Sequence, residues 1–363
     1  MYKTFYRDAL LTGVTLAALL CTQSAATALS KMPDGHFPAM MIELSASRAI
    51  QFNAGVTGYY ERILKNKTAR DVDLLQGKDY VSDPFRIYRL KPNSTTMGLP
   101  TNSFGYVGRE WSLQKPPNTR RVALLGDSVT EGFGVDRRHT FGALLEDRLN
   151  ATQPLGPSEQ FEILRFAVPA YNLTQLLDVA ETDASRFDPD VYVLDMTEIS
   201  VFRLWDLHLV DMITLGIDPK YGFLREKLRE AGVSAKDDNA TLHAKLAPYR
   251  MAVVRDSLLE MKANAERHHA QFIVVLVPTL EDADLTEQRF AGIPELLHAL
   301  NIPTVNLLDT FDHVSDLASF RDTRWDVHPN AQGHAMIAAN LYARLHSQPK
   351  AWSAFLGSVP VAY

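Results

Sequence analysis

Two short blocks hold the side chains whose types and spacing could do covalent chemistry. In the first, VALLGDSVTEG, an apolar run stops at Gly126 and is followed at once by Asp127 and Ser128. The second, DTRWDVHPNAQGH, spans residues 322–334 and places Asp326 two residues before His328. A serine between a strand and a helix sits where unpaired backbone N–H groups and the positive end of the helix dipole gather. Such groups stabilise an oxyanion, which a serine nucleophile requires beside it. A histidine on a loop entering the last helix can take the serine proton while a carboxylate holds its other ring nitrogen. Each block also has a plain structural use, Asp127 or Ser128 as a helix N-cap and His328 as a helix-entry residue. A metal set of Asp322, Asp326, His328 and His334 has no H-x-x-x-H or cysteine pattern behind it.

The elements that must position these residues follow from the apolar pattern. RRVALLG, FEILRFAV (161–168), DVYVLDM (190–196), QFIVVLVP (271–278) and PTVNLL (303–308) read as strands, and most are apolar throughout. Between them lie helical stretches at 141–152, 173–187, 251–269, 293–300 and 333–347. Strands buried on both faces and separated by amphipathic helices predict a parallel sheet in an α/β fold, whose ligands bind beyond the carboxyl ends of the strands. Ser128, Ala170, Thr197 and Thr279 all fall in loops of that kind. Gly126 is expected to let the chain turn sharply after the first strand. A G-x-S-x-G elbow is absent, because Thr130 occupies its last glycine place. No Gly-Lys-Ser/Thr phosphate loop is present either.

Taken together, GDSVTEG and DVHPNAQGH resemble the first and last blocks of the GDSL/SGNH hydrolase family, over about residues 85–347. TNSFGYVGRE and VLVPT are similar to bacterial members with an N-terminal extension. The resemblance implies a three-layer α/β/α sandwich with a mainly parallel, flavodoxin-like sheet. It also implies ester hydrolysis through an acyl-enzyme, without metal or organic cofactor. By the same resemblance Ser128 is the nucleophile, His328 the base and Asp326 the acid of a D-x-H arrangement. Trp325 fills the slot three before the histidine, so its carbonyl, and then Asp322, are the alternative orienting groups. The oxyanion hole would comprise the N–H of Ser128, the N–H of Ala170 at the usual glycine place, and Thr197 where asparagine is expected. Glu198 follows in place of the usual aspartate and is expected to pair with an arginine such as Arg109.

Net charge is −6 with no basic stripe, so the chain lacks the footprint of a nucleic-acid partner. Lys3 and Arg7 precede an uncharged run, Ala9 to Ser30, that contains ATA ending at Ala28. This reads as a signal peptide, or as an anchor through residues 9–30, and predicts an exported protein in the periplasm or outside the cell. Cys21, the single cysteine, lies inside this run, so the exported part would hold no disulfide. Five N-x-S/T sequons begin at Asn66, Asn93, Asn150, Asn172 and Asn239. The predicted organisation is a leader (1–30), an irregular extension packed on the main domain (31–118), and a hydrolase domain (119–350) with a helical insertion at about 198–246. Phe202, Trp205, Leu209, Met212 and Ile213 in that insertion form either a helix face on the sheet or a lid over the acyl group. The expected substrate is an O-acyl (O-acetyl) carbohydrate or a lipid ester. An O-acetyltransferase using the same serine, and a weakly active binding or assembly module, are the alternatives.

Overall fold

Why the serine block stands at the centre of the molecule follows from strand order. The structure is a computed structural model describing residues 79–357, apart from 97, 282 and 323–326. The leader, the first part of the extension, and Trp325 and Asp326 lie outside the described residues.

The extension enters as two antiparallel hairpins, β1 (Tyr80–Asp83) with β2 (Ile87–Leu90), and β3 (Thr95–Thr96) with β4 (Leu99–Pro100). Five apolar runs then become β5 (Thr119–Gly126), β6 (Gln160–Ala167), β7 (Val191–Met196), β8 (Gln271–Leu276) and β9 (Thr304–Asn306). They pair in parallel in the order β6-β5-β7-β8-β9. That is the flavodoxin-like 2-1-3-4-5 order when the sheet is counted alone, and its reversal point lies at β5 and β7. The expected α/β/α sandwich is therefore the observed fold.

Eleven helices can be followed among the described residues: α1 (Ser128–Glu131), α2 (Phe141–Thr152), α3 (Leu173–Thr182), α4 (Leu207–Leu215), α5 (Gly222–Ala231), α6 (Asn239–Leu246), α7 (Arg250–Arg267), α8 (Ala283–Arg289), α9 (Ile293–Ala299), α10 (Ala331–Ser347) and α11 (Pro349–Leu356). Alternate residues of β5 divide between two cores. Ala123 and Leu125 face α3, α4 and α7 through residues such as Leu176, Leu209 and Leu258. Val122 and Leu124 face α2, α10 and α11 through Leu145, Leu341 and Phe355. Burial on both faces is what the largely apolar sequences of β5, β7 and β8 require.

The region 198–246 is not one helical run. It opens as a π-helical turn (Ile199–Arg203) and continues as α4, α5 and α6. Trp205, Leu209 and Met212 are buried in the core, Ile213 packs against it, and Phe202 is exposed. The helix-face reading therefore holds for Leu209, Met212 and Ile213 on α4, while Trp205 is buried in the turn before it. No helix among the described residues is long and apolar enough to cross a membrane.

Residues 79–118 pack on the first core through Ile87, Tyr88, Tyr106 and Trp111. Buried Arg86 fastens them to α3, donating from Nε to Asp178 at 2.7 Å and from Nη1 to Asp183 at 2.8 Å. Breaking such a buried pair by removing one partner leaves an uncompensated charge. The extension is thus held where it can act on the loop after β6.

Candidate active site

Ser128 is the first residue of α1, directly beyond the carboxyl end of β5. The N-cap falls to Asp127, whose carboxylate accepts from the Val129 N–H at 2.9 Å, which leaves the Ser128 hydroxyl free of the capping role. Gly126 is required for a different reason than a sharp turn, since its φ is not among the positive ones. A Cβ there would collide with the Thr130 side chain, whose hydroxyl donates to buried Asp195 at the end of β7. The glycine lets the first turn of α1 lie against the sheet.

His328 reaches the serine from the loop before α10. Its Nε2 stands 2.7 Å from Ser128 Oγ, across 200 residues of sequence. Among the bonds that pin the loop are Leu280 N–H to the Val327 carbonyl (3.0 Å), Asp322 N–H to the His328 carbonyl (2.9 Å), and Asn330 N–H to the Phe320 carbonyl (2.7 Å). Asn330 then caps α10, accepting from the N–H groups of Gln332 and Gly333. Phe133 stacks on the imidazole with ring centroids 4.4 Å apart, fixing its plane. The Asp322 carboxyl packs against Gly134, where any Cβ would collide with it. His334, the fourth member of the metal set, is directed elsewhere. Its Nδ1 accepts from the Phe141 N–H at 3.2 Å, and burial pushes its pKa down to about 3.

Ala170 occupies the turn after β6. Val168 accepts from the Tyr171 N–H at 3.2 Å, with Pro169 and Ala170 between them and Ala170 at φ +62°. Proline followed by a positive φ makes this a type II turn. The Ala170 N–H has no hydrogen-bond acceptor among the described residues, and the Ser128 N–H heads a helix, where no partner exists within the helix. The turn is held from the extension: the Tyr88 hydroxyl donates to the Pro169 carbonyl at 2.7 Å, and the Tyr171 hydroxyl donates to the Tyr88 carbonyl. The Pro169 carbonyl and the Ala170 N–H belong to one planar trans peptide and point in opposite directions. Tyr88 therefore sets the direction of the Ala170 N–H.

Thr197, after β7, is fully buried, and its hydroxyl donates to Asp127. A hydroxyl carries one proton, so in this arrangement Thr197 supports the capping carboxylate rather than the space before Ser128. Burial raises the pKa of both Asp127 and Asp195, Asp195 the more, with the Asp127 charge as its second cause. Glu198 does not meet Arg109. It accepts from Arg203 Nε at 3.0 Å and lies 3.5 Å from Arg289, whereas Arg109 pairs with Glu146 at 2.6 Å. The π-helical turn brings Arg203 back onto Glu198 within five residues, a closer partner than any on the extension.

The carboxyl edge of the sheet thus carries Ser128 in contact with His328, the helix-terminal N–H of Ser128, and the Ala170 N–H in the turn after β6. Tyr88 is the residue that sequence reasoning missed. It lies 81 positions from its partner, in a segment without periodicity, and no local signal marks it.

No protein-family model and no curated protein sequence matches this chain. Among solved structures it is similar to TesA, with 13% identity and a TM-score of 0.41 over 62% of this chain and 98% of that one. A lipase/acylhydrolase from Enterococcus faecalis shows 14% identity and a TM-score of 0.40 over 63% and 96% of the two chains. A catalytic mutant of Axe2, an acetylxylan esterase from Geobacillus stearothermophilus, shows 16% identity and a TM-score of 0.41 over 62% and 94%.

Proposed function

We propose that the chain is a serine ester hydrolase of the GDSL/SGNH type, acting through an acyl-enzyme. The observation that carries this reading is the 2.7 Å contact between Ser128 Oγ and His328 Nε2 at the start of a helix. Ser128 Oγ attacks the ester carbonyl carbon, and His328 Nε2 takes the hydroxyl proton. The carbonyl oxygen becomes an oxyanion received by the N–H groups of Ser128 and Ala170. His328 then delivers its proton to the leaving alcohol as the C–O bond breaks. Water, deprotonated by His328, hydrolyses the acyl-serine, and Ser128 recovers its proton.

Asp326 is the acid assigned to orient His328, with the Trp325 carbonyl and Asp322 as the alternatives. An exported location through residues 1–30 and an O-acyl carbohydrate or lipid ester substrate belong to this proposal. Transfer of the acyl group to a sugar hydroxyl instead of water would use the same serine. A second reading, a binding or assembly module with little turnover, is favoured by one observation: the Thr197 hydroxyl is engaged by Asp127, leaving two donors for the oxyanion. Hydrolysis of short p-nitrophenyl esters decides between them. Turnover that disappears in both Ser128→Ala and His328→Ala supports the esterase, and absence of turnover in the wild type supports the module.

A further inference from the structure

Arg165 is the one charged residue near the end of the apolar strand β6, and it is buried without a carboxylate partner. Its Nη1 donates to the Glu131 carbonyl at 3.1 Å and to the Thr140 hydroxyl at 2.9 Å. No bond from Nε or Nη2 is found among the described residues. Arg165 belongs to the lining of a cavity of about 220 Å³ between the extension, α2 and β6. Three more arginines, Arg109, Arg137 and Arg138, line the same cavity together with Glu146 and Asp147. At about 30 Å³ per water, the space holds roughly seven waters.

Of these arginines, Arg109 is paired, with Glu146 at 2.6 Å and Glu162 at 3.6 Å. Glu146 is engaged on both oxygens, by Arg109 at 2.6 Å and by the Ile163 N–H at 2.5 Å. Asp147 is exposed to solvent. Arg137 has no carboxylate partner among the described residues, and Arg138 pairs only with its neighbour Asp136 at 3.2 Å. Burial pushes the Arg165 pKa down to about 10, against the opposing pull of the Glu131 and Glu146 carboxyls. Gly108 leaves Nη2 accessible at the cavity wall, where even a Cβ would stand 3.5 Å from it.

We propose that this cavity binds one compact oxyanion, a carboxylate, sulfate or phosphate, on the open edge of Arg165. The planar guanidinium presents Nε and Nη2 side by side, the fork that matches two oxygens of such a group. Arg137, which lines the same cavity, adds charge. The anion supplies the counter-charge that the buried guanidinium lacks. Two sources share this chemistry, the carboxylate of an acidic sugar and a free inorganic ion.

Isothermal titration calorimetry of the full chain at low ionic strength tests the site, with sodium sulfate, inorganic phosphate and glucuronate as probes and glucose as the neutral control. The expected result is saturable binding of at least one oxyanion, one per chain, and none of glucose. Arg165→Gln should weaken that binding at least tenfold. Arg137→Gln, an exposed change that the fold tolerates, should weaken it about threefold and keeps the test valid if the first variant fails to fold. Glucuronate binding tenfold tighter than sulfate or phosphate identifies a sugar carboxylate, and equal or reversed affinities identify a free ion. Absence of binding for all three probes, or affinities unchanged in the folded variants, overturns the proposal. Ser128→Ala protein should bind the anion like the wild type, so this test succeeds or fails independently of the esterase reading.

Discussion

Replacing Tyr88 with phenylalanine removes one oxygen atom and, on this structure, unlatches a peptide. Ala170 sits at φ +62° in the third position of its turn, a conformation that costs a non-glycine residue about 1–2 kcal/mol. Rotating the Pro169–Ala170 peptide to a type I turn relieves that cost and swings the Ala170 N–H away from the site. What opposes the rotation is the 2.7 Å bond from the Tyr88 hydroxyl to the Pro169 carbonyl, both buried. Leaving such a carbonyl without its donor costs about 1–3 kcal/mol, the same size as the strain it offsets. In Tyr88→Phe the balance therefore moves by about 1–2 kcal/mol toward the rotated turn, a factor of about 5–30. The expected result is a kcat lower by about that factor for p-nitrophenyl acetate, with KM within about twofold of wild type. Glycine pays nothing for the positive φ, so Ala170→Gly in the same chain should restore most of the loss. A role for Tyr88 in packing alone would give no such rescue. Unchanged kcat in Tyr88→Phe, or a double variant as slow as Tyr88→Phe, refutes the latch.

Three further outcomes follow from the same geometry. Thr197→Val keeps the shape but removes the donor to buried Asp127, so stability should fall by about 1–3 kcal/mol in urea titrations; a kcat loss of about a hundredfold would instead make Thr197 an oxyanion donor. Burial holds the Glu131 pKa up at about 8 in the folded chain, so its contribution is present at low pH and is lost as pH rises from about 4.5 to 8. Glu131→Gln should therefore gain stability relative to wild type by about 1.4 kcal/mol per pH unit across that window, and a difference flat with pH would contradict the assignment. Phe202, exposed beneath the Arg250 guanidinium in the turn after Thr197, should act on the acyl chain. Phe202→Ala is expected to shift the preference among p-nitrophenyl acetate, butyrate and octanoate, and an unchanged ranking removes Phe202 from the acyl wall.

Most of the sheet is legible because β5, β7 and β8 are buried on both faces and so carry largely apolar runs. Ser128 and His328 were legible because their chemistry restricts the residue types that surround them. The rest depends on contacts between distant segments. Gly126 was read as a turn residue, whereas its reason is the Thr130 side chain packed against it, which no local pattern encodes. Glu198 was assigned a partner on the extension because periodicity does not foresee a π-helical turn that returns Arg203 to it. Arg165 stands visible in FEILRFAV as a charge beside Glu162, yet only the fold shows that a cavity faces it.

The esterase reading stands on Ser128 as a nucleophile activated by His328. Intact-mass and peptide mass spectrometry after treatment with a fluorophosphonate tests it most directly. A single adduct is expected on the peptide carrying Ser128, formed at least a hundredfold more slowly in His328→Ala and absent in Ser128→Ala. An adduct that persists in Ser128→Ala, or one that forms on Ser128 at the same rate without His328, would contradict it.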